Sequence, residues 1–291
     1  MIDPELRQTA IRLYDRFTHD GMERREFMTR MTALAGGAAT ATALVGSIAA
    51  APAAAALSDA ADPRLIIRKG SLGFSSPLSG YVAAPRGGKK LGVVIVVHEN
   101  RGLNAHIEDV TRRIALANYF AVAPDFLSPV GGTPVDEDAA RDAIGKLDLT
   151  ASVASAVELG MALKGLRNAN GRVGIIGFCW GGAFVNRVAV AAGARLDAGV
   201  AYYGPAPDPS EAARVEAPLL LHYAGLDERV AATGQPWVAA LKAAGKVVTA
   251  YDYPGANHAF NNDTSAERYN KPAADLGWAR TLEFFARHLR S

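Results

Sequence analysis

The single cysteine of this 291-residue chain, Cys179, stands at the centre of the run Gly-Phe-Cys-Trp-Gly at residues 177–181. The mostly apolar residues 172–176 before this run are typical of a strand, and a helical pattern begins at residue 182. Gly-x-Cys-x-Gly between a strand and a helix is the form of a nucleophile elbow, a tight turn that lifts its central side chain above the sheet. Unpaired amides and the helix dipole there favour a thiolate and a developing oxyanion. We therefore interpret Cys179 as a nucleophile, with a buried structural cysteine as the alternative.

A carboxylate and a histidine follow Cys179 in the order that a nucleophile–acid–base triad requires. A strand-like apolar run leads into Gly-Leu-Asp, which makes Asp227 the orienting acid in preference to Glu228. Another strand-like run ends in a Gly-rich loop that carries His258. Among the six histidines, His258 combines this order with such a loop, so it is the predicted base. The alternatives are a helix-capping Asp227 and a surface His258.

The elements that would position these residues begin near residue 64, where strand-like runs start to alternate with helical patterns. Residues 91–97 form a continuous, Val-rich run, as expected for a strand buried on both faces. This alternation predicts a single α/β domain over 64–291, with a mostly parallel sheet, helices on both faces and functional loops at the carboxyl ends of the strands. We predict strands at 65–67, 80–83, 91–97, 119–123, 172–176, 198–203, 218–223 and 247–253, and a hairpin turn at 75–80. We predict helices at 106–118, 136–166 (one or two), 182–192, 238–244 and 276–289.

The first 58 residues differ in composition from the domain. Residues 31–58 carry no charge and are rich in Ala, and they follow an arginine pair at 24–25 and the aromatic Phe27. This arrangement resembles a bacterial twin-arginine export signal and predicts a periplasmic or secreted protein, or a cytoplasmic one if the signal is not used. A retained membrane anchor is the alternative. A short amphipathic helix is possible around residues 6–14. Cleavage choices of the form Ala-x-Ala lie near Ala51, Ala53 and Ala56.

The composition limits the partners to be expected. The chain has 49% hydrophobic and 21% charged residues and a net charge of +2, so nothing favours nucleic acid or an anionic membrane as a stable partner. One cysteine excludes an internal disulfide. No C-x-x-C or H-E-x-x-H spacing occurs, so no metal and no cofactor are expected.

These residues together resemble the dienelactone hydrolase family, also called carboxymethylenebutenolidase. The resemblance extends from about residue 64 to the C-terminus. It is carried by Gly-Phe-Cys-Trp-Gly-Gly at 177–182, Gly-Leu-Asp at 225–227, His-Ala-Phe at 258–260 and Val-His-Glu-Asn-Arg-Gly-Leu-Asn at 97–104. It implies an α/β-hydrolase fold and a catalytic set formed by Cys179, Asp227 and His258.

The resemblance also implies roles for the loop after the first core strand. In the family a Glu at this point accepts the thiol proton when substrate binds, and Glu99 matches it. One oxyanion-hole amide comes from the same loop, at Asn100, and the backbone N–H of Trp180 supplies the other. Members that act on the dienelactone carry an Arg shortly after the His, but residues 261–263 here are Asn-Asn-Asp. The resemblance therefore does not extend to the dienelactone as substrate.

The sequence predicts a hydrolase that opens small esters or lactones through a thioester acyl-enzyme, as a monomer or small homo-oligomer. An exported binding protein on a degenerate hydrolase scaffold is the alternative from another class, and the ordered Cys179, Asp227 and His258 argue against it. A thioesterase or peptidase of the same fold is the alternative among enzymes. Peptidases of this fold usually carry an extra lid or propeller domain, and no insertion here is long enough for one.

Overall fold

The computed structural model describes residues 3–49, 57–73 and 76–290, and an eight-stranded sheet forms its centre. Numbered along the chain, the strands are β1 Leu65–Ser71, β2 Ser79–Pro85, β3 Leu91–Val97, β4 Phe120–Asp125, β5 Ala169–Phe178, β6 Ala198–Tyr202, β7 Leu219–Ala224 and β8 Val248–Tyr253. They lie in the order β1-β2-β4-β3-β5-β6-β7-β8. Strand β2 is antiparallel to β1 and β4, and the strands from β3 to β8 run parallel. The predicted mostly parallel sheet is confirmed; the predicted turn at 75–80 includes Ser75, which lies outside the described residues.

Strand β3 is buried along its whole length. Val93, Ile95 and Val97 belong to the apolar cluster on one face of the sheet, and Val94 and Val96 to the cluster on the other. Successive strand side chains point to opposite faces, so an all-apolar strand must be covered twice. Each fully buried Val or Ile contributes on the order of 2 kcal/mol. This burial fixes β3 near the middle of the sheet, and with it the position of the loop that follows.

Nine helices occur in the described residues. They are α1 Pro4–His19, α2 Arg24–Ala35, α3 Ala38–Ile48, α4 Ala105–Leu116, α5 Glu137–Gly145, α6 Leu149–Lys164, α7 Trp180–Ala192, α8 Glu228–Ala243 and α9 Lys271–Leu289. Helices α6, α7 and α8 pack on one face of the sheet, and α4 and α9 on the other, because each contributes apolar residues to one of the two clusters. The described part of the domain therefore has the predicted three-layer arrangement.

Side-chain caps set several helix boundaries. The helical pattern predicted over 136–166 divides into α5 and α6 because Asp148 accepts a hydrogen bond from the N–H of Ala151 and starts a new helix. Helix α8 begins ten residues before the predicted start at 238, since Asp227 caps it and Pro236 is tolerated inside it. Proline is normally disfavoured inside a helix, but α8 contains Pro236 in its interior.

Residues 3–49, called the N-terminal segment from here on, contain α1, α2 and α3. The amphipathic helix around 6–14 is confirmed as part of α1. The three helices enclose an apolar cluster of their own, in which the rings of Phe17 and Phe27 stack with their centroids 4.3 Å apart. The buried residues of this cluster are Ala10, Ile11, Tyr14, Phe17, Phe27, Met31, Ala41, Leu44 and Ile48. The segment predicted as a leader therefore has a packed interior.

The apolar part of the leader does not form one long helix. Among the described helices, none is both long and apolar enough by itself to cross a membrane. Helices α2 and α3 meet that test of length and composition as a pair, with a bend of 108° between them. The candidate cleavage positions Ala51, Ala53 and Ala56 lie outside the described residues.

Candidate active site

Cys179 occupies the sharp turn between β5 and α7, as predicted. Its backbone has φ 56° and ψ −113°, a conformation that side-chain-bearing residues rarely adopt. The Cys179 N–H donates to the carbonyl of Tyr202 on the neighbouring strand at 3.0 Å, which anchors the turn. A strained backbone at a single reactive residue is characteristic of functional sites.

The glycines around Cys179 allow the strand, the turn and the helix to approach closely. A Cβ atom at Gly177 would overlap the carbonyl of Gly181. A Cβ atom at Gly181 would lie 2.5 Å from the carbonyl oxygen of His98, at the end of β3. Only glycine fits at both positions, which is the physical reason for the Gly-x-Cys-x-Gly pattern.

Asp227 and His258 form a hydrogen-bonded pair beside this turn. The Nδ1 of His258 lies 2.5 Å from Oδ2 of Asp227, and both residues are buried. The other carboxylate oxygen of Asp227 accepts from the N–H of Val230 at 3.1 Å, so the helix-capping alternative is also true. The cap fixes the carboxylate, and the carboxylate orients the imidazole so that Nε2 is the free nitrogen.

Charges around His258 favour its protonated form. Burial lowers the pKa of His258, but the Cys179 sulfur and the Asp227 carboxylate outweigh burial and raise it to about 10. Burial raises the pKa of Asp227, and the His258 imidazole reverses this, so that the pKa of the carboxyl is lowered overall. The Cys179 sulfur on one side and the Asp227 carboxylate on the other therefore favour a positive charge on His258.

Glu99 lies in the loop after β3 and is 7% exposed. Its Oε2 accepts a hydrogen bond of 2.9 Å from Nδ2 of Asn262, in the loop after His258. Glu99 also belongs to the surroundings of the nucleophile, since the charges of Glu99 and Cys179 both act on the hydroxyl of the buried Tyr203. Asn262 belongs to the Asn-Asn-Asp run at 261–263, which lacks the Arg discussed above. Its side chain holds the carboxylate of Glu99 in position.

The two residues predicted for the oxyanion hole come from different parts of the domain, the start of α7 and the loop after β3. Trp180 is the first residue of α7, so its N–H is one of those that have no partner within a helix. Its ring stacks on His98 with a centroid separation of 5.3 Å. The side chain of Asn100 donates to the carbonyl of Thr18, in the N-terminal segment, at 3.1 Å.

A second histidine, His19, reaches the nucleophile from the N-terminal segment. It is the last residue of α1, and its Nε2 and Nδ1 lie 3.8 and 4.0 Å from Sγ of Cys179. Its ring centroid is 4.7 Å from that of His258. Burial and the neighbouring His258 and Arg229 lower the pKa of His19 well below the usual value, so it is neutral at pH 7. In the sequence, chain order and loop position favour His258 among the six histidines, and His19 lies in the predicted leader.

The N-terminal segment covers the site through contacts with several loops of the domain. Beside the contact of Asn100, the Nε2 of Gln8 donates to Asn257 at 2.7 Å, and Ser265 donates to the carbonyl of Ile48 at 2.6 Å.

Two arginines also join the segment to the domain. Arg24, from the arginine pair, forms an ion pair with Asp138, and Arg101 contacts the hydroxyl of Tyr14. With the segment in place Cys179 is 5% exposed.

Arg268 is a buried cation at the boundary between the two regions. Its Nη1 lies 3.4 Å from Oδ1 of Asp15, and its guanidinium is 5.1 Å from the centre of the Tyr14 ring. Burial lowers the pKa of Arg268, but Asp15 and other negative groups, including Glu99 and Cys179, raise it overall. The acidic group nearest to this cation is therefore supplied by the N-terminal segment.

The structure thus brings Cys179, Trp180, Asp227, His258 and Glu99 together at the carboxyl ends of the parallel strands, and places Asn100 under the N-terminal segment. Sequence reasoning did not find His19, Asn262 or Arg268. No local signal marks them, because each acts through a contact with a distant part of the chain.

The sheet, the strained turn and the ordered Cys179, Asp227 and His258 define an α/β-hydrolase. The model of the dienelactone hydrolase family matches residues 78–289. The chain belongs to that family and is a hydrolase of this type. The N-terminal segment lies outside the matched residues.

Individual relatives agree with the family match. A protein of Methylorubrum extorquens, provisionally named a carboxymethylenebutenolidase, is 34% identical over 232 residues, which are 72% of this chain and 77% of the relative. An Escherichia coli K12 protein with the same provisional name is 34% identical over 215 residues, 68% of this chain and 78% of the relative. The crystal structure of a provisional dienelactone hydrolase from Klebsiella pneumoniae superposes with a TM-score of 0.69 at 29% identity, and covers 77% of this chain and 99% of that structure.

Proposed function

We propose that the protein hydrolyses small esters or lactones by covalent catalysis at Cys179. The observation that carries this proposal is the juxtaposition of a strained, single cysteine with the hydrogen-bonded pair of His258 and Asp227. A nucleophile, a base and a residue that orients the base are the three parts that acyl transfer requires.

In the proposed reaction the Sγ thiolate of Cys179 attacks the carbonyl carbon, and the electron pair of the C=O bond moves to oxygen. The N–H of Trp180, with the amide of Asn100, stabilises this oxyanion. When the intermediate collapses, the bond to the alkoxide breaks, and the alkoxide takes a proton from His258. Water, deprotonated by His258, then attacks the thioester, releases the acid and restores the thiolate. In a lactone the alkoxide and the acyl group belong to one molecule, so a single hydroxy acid leaves.

Glu99 is proposed as the acceptor of the thiol proton when substrate binds. Its burial and its contact with Asn262 support this role, because they hold the carboxylate in a defined position inside the site. His258 offers a second route for the same proton, and kinetics of the two variants separate them.

Substrate entry requires movement of the N-terminal segment. A thiol that is 5% exposed cannot reach the carbonyl of a dissolved ester while His19 lies 3.8 Å from its sulfur. The described contacts between the segment and the domain are largely hydrogen bonds and ion pairs, and each of these can break and form again. We therefore include opening of the segment as a step of the catalytic cycle.

The leader is proposed to act as a twin-arginine export signal, which would make the mature protein periplasmic or secreted. The arginine pair and the uncharged, Ala-rich stretch that follows support this proposal. The arginine pair and part of the uncharged stretch form α2 and α3 of the N-terminal segment, so cleavage of the signal would remove the cover of the site, and opening of the segment is a step only in the uncleaved chain.

The test of the proposed function is hydrolysis of a panel of chromogenic esters and lactones by the purified chain and by Cys179→Ala. We expect turnover by the native protein, an acyl adduct on Cys179 in rapid-quench mass spectrometry, and a loss of about 10³-fold or more in the variant. Circular dichroism and the unfolding midpoint check that the variant is folded. Near-normal turnover by Cys179→Ala would contradict the proposal, and tight binding without turnover by the native protein would favour a binding protein.

A further inference from the structure

Three side chains that bind soft divalent metals meet at the boundary between the N-terminal segment and the domain. They are His19, Cys179 and His258, and their donor atoms all lie within 4.8 Å of one another. Thiolate sulfur and imidazole nitrogen are the preferred ligands of Zn²⁺. The three residues come from the first helix, the elbow and the last loop before α9, so no sequence spacing marks the set.

The separation of His19 and Cys179 is close to that of two ligands on one metal ion. With bond lengths of about 2.3 Å to sulfur and about 2.0 Å to nitrogen, a tetrahedral ion separates sulfur from nitrogen by about 3.6 Å. The observed distances from Sγ of Cys179 to Nε2 and Nδ1 of His19 are 3.8 and 4.0 Å.

His258 is oriented in the way that metal-binding histidines are. Its Nδ1 is bound to Asp227 at 2.5 Å, and its Nε2 has no hydrogen-bond partner among the described residues although the residue is 2% exposed. A carboxylate behind a histidine fixes the ring and raises its basicity toward a metal. A metal bound at this nitrogen would replace the proton that His258 otherwise carries, because metal binding at a histidine releases its proton.

The charges around the three residues also suit a cation. A metal displaces the proton of a cysteine ligand, and the resulting thiolate and the carboxylate of Asp227 together balance a divalent ion. The positive charge of Arg268 close by is offset by Asp15.

The geometry points to a Zn²⁺ site formed by His19, Cys179 and His258, which exists only while the N-terminal segment is docked on the domain. The ion would tie α1 to the elbow and leave a fourth position for water. The ion would also bind the sulfur of Cys179, so Cys179 could not be acylated by an ester in the metal-bound form. This consequence rests on the proposed function, whereas the site itself does not.

The site is tested by titrating the metal-free, full-length protein with Co²⁺ under reducing, oxygen-free conditions, and then displacing Co²⁺ with Zn²⁺. We expect one ion per chain, strong visible absorption from four-coordinate cobalt and a near-ultraviolet thiolate-to-metal band that Cys179→Ala removes. His19→Gln should weaken binding at least about tenfold, since even the loss of a group behind a ligand typically weakens it 10–100-fold. The matched control His288→Gln changes a half-buried histidine on α9 and should bind as the native protein does.

Two further measurements separate a lost ligand from a damaged fold. His19→Cys replaces one zinc ligand by another and should restore binding that His19→Gln loses. In the native protein Zn²⁺ should slow alkylation of Cys179 by iodoacetamide and raise the unfolding midpoint. Affinity of His19→Gln within about twofold of the native value, or cobalt binding without the near-ultraviolet band, would overturn the proposal. None of these signals depends on ester turnover, so failure of the proposed hydrolysis leaves them interpretable.

Discussion

The hydrolase domain and the N-terminal segment are built on different physical principles. The domain buries both faces of a central sheet under two large apolar clusters, while the segment encloses one small cluster of nine buried residues between three short helices. The domain supplies Cys179, Asp227 and His258, and the segment covers them. One region therefore holds Cys179 in its strained backbone conformation, and the other sets how far this residue is exposed.

The two regions also differ in how sequence relates to structure. In the domain, apolar runs such as residues 91–97 form the predicted strands, and Cys179 lies at the predicted turn. In the segment the same residues have two interpretations, since Phe27 is the aromatic that follows the arginine pair and is also 1% exposed in the core of three helices. Composition alone cannot distinguish an export signal from a folded cover. Whether the segment packs on the domain depends on the domain surface that it contacts, and the composition of the segment does not describe that surface.

The largest expected effect in the domain, beyond loss of the nucleophile itself, belongs to Glu99. If it accepts the thiol proton, Glu99→Gln slows acylation by about 10²-fold or more while substrate binding changes little, because the amide cannot take the proton. Pre-steady-state acylation with a chromogenic ester measures this, and Glu158→Gln, an exposed change on α6, is the control.

The comparison with His258→Gln decides the route of the proton. An acylation rate of Glu99→Gln within about threefold of the native rate, together with a severe defect in His258→Gln, would remove Glu99 from the mechanism.

Opening the segment should expose the nucleophile without harm to the domain. Phe27→Asp puts a charge into the small cluster, where removal of a buried aromatic alone costs about 3 kcal/mol or more. We expect alkylation of Cys179 by iodoacetamide to accelerate at least about tenfold, since each 1.4 kcal/mol changes a population tenfold. Thr29→Asp places the same charge on the exposed side of α2 and should leave the rate unchanged. Equal rates in all three proteins would show that the segment does not limit access.

Replacing Arg24 and Arg25 by Lys separates export from docking. The change keeps both charges, and with them the ion pair to Asp138, so the segment should still cover the site. If the pair is read as an export signal, the periplasmic fraction falls, because the two guanidinium groups and not their charge are recognised. Fractionation and immunoblotting measure the distribution. The same distribution for both proteins would exclude this route, and uncut protein in the periplasm would support a retained anchor.

The smallest expected effect is on the titration of His258. Asp227→Asn removes one of the charges that raise the pKa of His258 to about 10, so we expect this pKa to fall toward the ordinary value of about 6.5. NMR of labelled histidine measures it. Because the native pKa lies above the unfolded one, protonated His258 stabilises the fold fully below about pH 6.5, and this contribution is lost as the pH rises toward 10. The variant should lose less of its free energy of unfolding over that range, and an unchanged pKa would refute the assigned cause.

Sequence was sufficient for the sheet, the elbow and the order of acid and base. The signals for these features are local: an all-apolar strand such as β3, glycines beside Cys179, and an Asp and a His just past strand ends. His19, Asn262 and Arg268 could not be found in this way. His19 is 160 positions from Cys179, and its role depends on how α1 docks, which no short pattern encodes.

The backbone of Cys179 also has a consequence for how this protein can change. A non-glycine residue at φ 56° and ψ −113° costs the folded state about 1–3 kcal/mol, which the surrounding sheet and helix must offset. Glycine at position 179 would relieve that strain and abolish nucleophilic chemistry in the same step. Selection for robustness and selection for turnover therefore act in opposite directions at this one residue, so a library screened for thermal resistance alone should drift away from cysteine there.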